Sequence, residues 1–159
     1  MPHPAPAPDA LAAVTGAVAP GPASNLPLPP TGAAFSIDAA TTPLEGGTDP
    51  TFGTVCWRTL ISGGDHADRE FVLGIAEFGA HGTLHPHRHS PAEFYLGLSG
   101  DGIVTIDGVA HRIATGVAVY IPGEAEHGVL AGPAGLRFAY GFAERAFADV
   151  AYRFSALGA

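Results

Sequence analysis

Six short runs, TVCWRTL, FVLGIAEF, EFYLGL, GIVTID, GVAVYI and LRFAYGF, recur from about Thr51 onward, each bounded by Gly, Pro, Asp or Ser. They are rich in β-branched and aromatic residues, which suit a pleated, half-buried surface better than a helix. In TIDGVAHRI the pair Asp107-Gly108 separates two strand-like pieces, the signature of a hairpin with a type I′ turn. No long segment carries a 3.6-residue apolar period. Only ERAFADV (144–150) reads as a helical turn, ahead of a last strand-like piece, AYRFS. Short strands at roughly ten-residue spacing predict an all-β fold, an antiparallel sandwich or barrel.

The 159 residues suffice for one domain with a real core. Residues 1–33 hold nine of the fifteen prolines, mixed with Ala and Gly and almost no charge. Such a segment buries too little surface to offset its ordering entropy, so it is expected to be a flexible tail ahead of a β-domain spanning 34–159. The net charge is −8, and the seven basic residues are all arginines scattered from Arg58 to Arg153. That distribution argues against a nucleic-acid partner, because phosphate binding needs a basic face. No apolar run is long enough to span a membrane. The N-terminus has no basic region before its apolar stretch, so a secretory signal is not expected and the cytoplasm is the default compartment. Cys56, the sole cysteine, sits in the apolar TVCWRTL and reads as a small core residue.

Three of the eight histidines fall in one stretch, HPHRHSPAEFY (85–95). Residues two apart on a strand share a face. His87 and His89 therefore project together, as do Glu93 and Tyr95, while Arg88 points away. His85 shares their parity and could line the same pocket or support a ligand. Imidazole and carboxylate are suitable donors for a divalent transition metal, and two histidines with one carboxylate form the facial set associated with Fe(II). A further ligand should come from a distant strand, and His127, after GVAVYI and the turn PGEAE, is the natural candidate. His81 and His111 read as loop or surface residues, Arg137 as exposed, Tyr120 as barrel packing, and Glu124 and Glu126 as solvated turn charges.

This combination resembles the cupin superfamily, whose first motif runs G-x5-HxH-x3,4-E-x6-G and whose second runs G-x5-PxG-x2-H-x3-N. The matching segments here are HGTLHPHRHSPAEFYLGLSG and GVAVYIPGEAEHGVLA. The leading glycine (Gly82) stands one place late, the second motif has Pro-Gly in place of Pro-x-Gly, and Ala131 stands where Asn is usual. The resemblance implies a single-domain cupin, a small antiparallel β-barrel or jelly roll. It also implies one divalent metal ion, of the Fe, Mn, Ni or Zn kind, held by His87, His89, Glu93 and His127.

A narrower resemblance covers about residues 52–154. VCWRTLI, LGIAEF, HRHSPAEFY, VYIPGEAEH and FADVAY look like the small cupins that cleave dimethylsulfoniopropionate (DMSP), a zwitterion carrying a carboxylate and a sulfonium. It implies Tyr95 as the base that removes the proton alpha to the carboxylate, with Tyr152 assisting at the site. Aromatic rings suit a sulfonium, which makes Trp57 and Tyr140, with neighbouring Phe138 and Phe142, the candidates to hold it. A homodimer paired through sheet edges would follow from the same resemblance. Two other classes fit the ligand set: an Fe(II) dioxygenase for which Tyr95 is dispensable, and a non-catalytic cupin that binds a small ligand.

Overall fold

The computed structural model describes residues 32–63 and 70–155, so most of the expected tail lies outside the described residues. Nine strands lie among the described residues: β1 (Glu45–Gly46), β2 (Cys56–Ile61), β3 (Val72–Phe78), β4 (Thr83–Arg88), β5 (Glu93–Ile106), β6 (Val109–Ala114), β7 (Ala118–Ile121), β8 (His127–Phe142) and β9 (Arg153–Phe154). All pairings are antiparallel. The helical turn expected over 144–150 is a short 3-10 turn, Phe147–Asp149. No helix among the described residues is long and apolar enough to cross a membrane.

The long strands β5 and β8 pair along nearly their whole length and bend together, so that the sheet curls into two packed faces. The first half of β5 pairs with β7 and with the end of β8, which continues into β3, β2 and β1. Its second half pairs with β6 and with the start of β8, which continues into β4 and β9. EFYLGL and GIVTID, separate runs in the sequence, are therefore one bent strand. The bend is visible in the burial. Glu93 and Tyr95 face inward, the alternation breaks over Gly97–Asp101, and Gly102, Val104 and Ile106 resume it in the opposite phase. Gly100 sits at this corner with φ +70, and a Cβ there would lie 2.1 Å from the Gly135 carbonyl oxygen. No other residue fits.

The hairpin between β5 and β6 has positive φ at both Asp107 (46°) and Gly108 (80°), as a type I′ turn requires. Inward residues of both faces interleave into one core, with Val104, Ile113 and Ile121 fully buried. Burying each contributes roughly 1.5–3 kcal/mol. Two packing expectations differ from the outcome. Tyr120 is 69% exposed, because the inward positions of β7 are Val119 and Ile121. Cys56 is half-buried and pairs with Glu77, while its neighbour Trp57 turns inward opposite Ala76.

Candidate active site

Four polar side chains are sealed inside the barrel near one end: His87 (1% exposed), His89 (1%), Glu93 (4%) and His127 (1%). β4 delivers His87 and the chain just after it His89, β5 opens with Glu93, and β8 opens with His127, directly across from His87 in the ladder. Each imidazole is oriented by a backbone carbonyl two residues away in sequence: Nδ1 of His87 lies 2.9 Å from the His85 oxygen, that of His89 3.0 Å from Pro91, and that of His127 2.9 Å from Ala125. A carbonyl only accepts, so each Nδ1 carries the hydrogen and each ring presents Nε2 to the centre. The histidine donor atoms lie within 4.8 Å of one another. Glu93 Oε2 lies 3.2 Å from the Nε2 atoms of both His89 and His127. His127 Nε2 makes no hydrogen bond among the described residues. Three convergent ring nitrogens, each on an imidazole whose outer hydrogen bond is already made, and a buried carboxylate fit a divalent transition metal.

The electrostatics agree. Burial and the neighbouring His127 push His87 down to about 4, so it is neutral and able to ligate at pH 7. Burial alone would raise the Glu93 carboxyl, but His127 and His89 outweigh it and hold the group below its usual range, as a carboxylate.

A small pocket of about 30 Å³ opens beside this centre. Glu93, Tyr95 and Tyr152 line it together with Trp57, Tyr140, Phe138 and Leu84. Tyr95 is 1% exposed and stacks on Phe138 at 4.2 Å between centroids. Tyr152 arrives from the C-terminal segment, its ring 4.9 Å from His87 and 5.3 Å from His89. Burial, reinforced by the Glu93 charge, raises both the Tyr95 and Tyr152 phenols well above 10. Without a cation beside them these phenols stay protonated. The Trp57 indole N–H is buried and finds no acceptor among the described residues.

His85 does not join them. The pairing of β4 with β8 slips between Leu84 and His87, so the strand bulges around Pro86 and strict parity fails. Leu84 faces the pocket, while His85 sets its Nδ1 3.2 Å from the Thr51 carbonyl and gives its own carbonyl to His87. Arg88 points outward to Glu126, at 3.0 Å. His81 and His111 are exposed, and Arg137 lies beside Glu77 at 3.7 Å. Phe52 and Phe147 also wall the pocket. Neither had a periodicity signal in the sequence, because one precedes β2 in a loop and the other sits in the 3-10 turn, outside any strand period.

A cupin-domain family model matches residues 74–137, from within β3 into β8. With the bent two-faced barrel and the histidine-carboxylate centre at one end, the chain belongs to the cupins. The dimethylsulfoniopropionate lyase DddW of Ruegeria pomeroyi is 62% identical over 146 residues, which cover 92% of this chain and 91% of that protein, and the chain belongs to the same cupin family as that lyase. The polyketide cyclase RemF from Streptomyces resistomycificus has the same fold, with a TM-score of 0.66 and 23% identity over 79% of this chain and 88% of that one. So does a chain from the crystal structures of the DMSP lyases RdDddP and RnDddQII, at a TM-score of 0.55 and 16% identity over 64% of this chain and 53% of that one.

Proposed function

We propose that the protein is a metal-dependent carbon–sulfur lyase that cleaves dimethylsulfoniopropionate to dimethyl sulfide and acrylate. The observation that carries the reading is the 62% identity to DddW across nearly the full length of both chains. The pocket supports it, because it sets the Tyr95 and Tyr152 phenols and a wall of aromatic rings beside the His87, His89, Glu93 and His127 centre.

In this reading the four residues would hold one divalent ion of the Fe, Mn, Ni or Zn class, which would supply positive charge to polarise a carboxylate and make a nearby phenol easier to ionise. Tyr95, as phenolate, takes the proton alpha to the carboxylate. The electron pair of that C–H bond becomes the carbon–carbon double bond, the C–S bond breaks, and dimethyl sulfide leaves with the former bonding pair. Tyr152, whose ring lies beside His87 and His89, assists by orienting the substrate. The sulfonium lies among the rings of Trp57 and Tyr140. Aromatic walls also exclude water, which protects a carbanion-like transition state from being quenched.

The protein works in the cytoplasm, and we propose a homodimer, which light scattering on the purified chain tests. The deciding experiment is headspace detection of dimethyl sulfide from DMSP, with protein loaded in turn with Fe(II), Mn(II), Ni(II) and Zn(II). Silence from every stoichiometrically loaded form overturns the lyase reading. Oxygen uptake under the same conditions would instead favour a dioxygenase.

A further inference from the structure

The turn before β8 contains an unexpected conformer. Glu124 has φ +67, a left-handed backbone that a residue with a side chain adopts only at a cost of about 1 kcal/mol or more. The glycine beside it does not take that place, because Gly123 is needed for a different reason: a Cβ there would lie 2.3 Å from the Ser90 carbonyl oxygen. The left-handed position thus falls to a glutamate where glycine would be easier. The same Glu124 donates its backbone N–H to the His89 carbonyl at 2.8 Å, which ties the turn to the metal end.

What the glutamate gains is a partner. Its carboxylate accepts from the Arg153 guanidinium, one residue after Tyr152. Arg153 lies opposite Arg88 in the β4–β9 ladder, so two cations face each other where the C-terminal segment docks. Glu124 and Glu126 neutralise them: Glu126 accepts from Arg88 at 3.0 Å and also from the Ser155 hydroxyl. Like charges directly opposite in a ladder repel, and the strand they would repel is only two residues long. Beyond this network, the segment after β8 is held by Ser155 N–H on the Pro86 carbonyl at 2.9 Å, by Phe147 N–H on the Ser62 hydroxyl at 2.9 Å, by Gly63 N–H on the Arg145 carbonyl, by the buried Val150 and by aromatic contacts.

We propose that Glu124 is a positioning residue: through Arg153 it latches the C-terminal segment to the metal end and so sets Tyr152 in the pocket. The inference rests on the lyase reading for what Tyr152 does, and on geometry alone for the latch. An exposed ion pair contributes little to global stability. Its effect is local, on how often a short docked segment opens.

The test compares wild type with Glu124→Gly, Glu124→Gln and the exchange Glu124→Arg/Arg153→Glu, all metal-loaded. Hydrogen exchange of the Val150 and Ser155 amides is followed alongside steady-state DMSP cleavage. Glu124→Gly removes the backbone strain with the carboxylate, so its melting temperature stays near wild type. Its amide exchange over 150–155 should nonetheless accelerate, and kcat should fall roughly tenfold through misplacement of Tyr152, with metal content unchanged. Glu124→Gln behaves likewise, and the exchanged pair restores most of both readouts. Unchanged exchange in Glu124→Gly, or an exchanged pair no better than the single variants, overturns the latch. Faster exchange with unchanged kcat overturns the positioning role. Should wild type itself release no dimethyl sulfide, the exchange data still decide the latch, and only the lyase reading falls.

Discussion

The two halves of the pocket are built by different means. The polar half, His87, His89, Glu93 and His127, stands at strand ends, buried to within a few per cent, with its three imidazoles oriented by carbonyls of the same strands and turns. The aromatic half takes Trp57, Tyr95, Phe138 and Tyr140 from β2, β5 and β8, and completes its wall with Phe52, Phe147 and Tyr152 from segments with little or no ladder of their own. A site that must place donor atoms to a fraction of an ångström uses the rigid part of the fold. One that must surround an apolar or sulfonium group can tolerate looser carriers, because ring contacts are broad and cation–π attraction falls off gently.

Substitutions should separate the halves. The largest effect belongs to the polar half: His127→Ala should drop bound metal from about one ion per chain to near none, and dimethyl sulfide release below detection, as metal analysis and headspace measurement would show. Tyr95→Phe comes next, with kcat lower by roughly 10²–10⁴-fold at full metal content. A variant keeping more than a tenth of wild-type kcat would exclude Tyr95 as the base.

Titration tells the halves apart without mutation. The fold holds His87 neutral down to about 4, against an ordinary value near 6.5. Between those values the unfolded chain binds the extra proton. The metal-free protein should therefore lose about 3 kcal/mol of stability from this residue as pH falls from 6.5 to 4. Glu93, whose carboxyl is also depressed, pulls the same way at lower pH. Denaturant melts across that range should flatten in His87→Gln and keep their slope in Trp57→Leu. The smallest effect is on binding: Trp57→Leu should leave metal content and most of kcat intact and raise KM roughly 5- to 30-fold, equivalent to about 1–2 kcal/mol of lost cation–π contact.

The same division governs what the sequence reveals. His87, His89, Glu93 and Tyr95 follow from period-two geometry over eleven residues, and His127 from the turn that precedes it. The all-β class follows from short runs bounded by turn formers. The bend that fuses EFYLGL with GIVTID is hidden because SGDG reads as a turn, and whether a glycine cluster ends a strand or folds it depends on a distant partner, here Gly135. The bulge at Pro86 that turns His85 away is hidden for the same reason, since it exists only against β8. Phe52, Phe147 and the Glu124–Arg153 pair are brought together by loop paths that no periodicity encodes.

The bulge has one more consequence, for register. HPHRH contains two overlapping copies of the same three-residue pattern, so a slip of β4 by two residues would offer His85 and His87 in place of His87 and His89. Imidazoles cannot distinguish these alignments. Leu84 can: the slip would bring Gly82 into its place in the pocket wall, leaving a void, and would lengthen the path to Glu93 by two residues. A single leucine with no chemistry of its own thus helps set which histidines the chain commits to the centre.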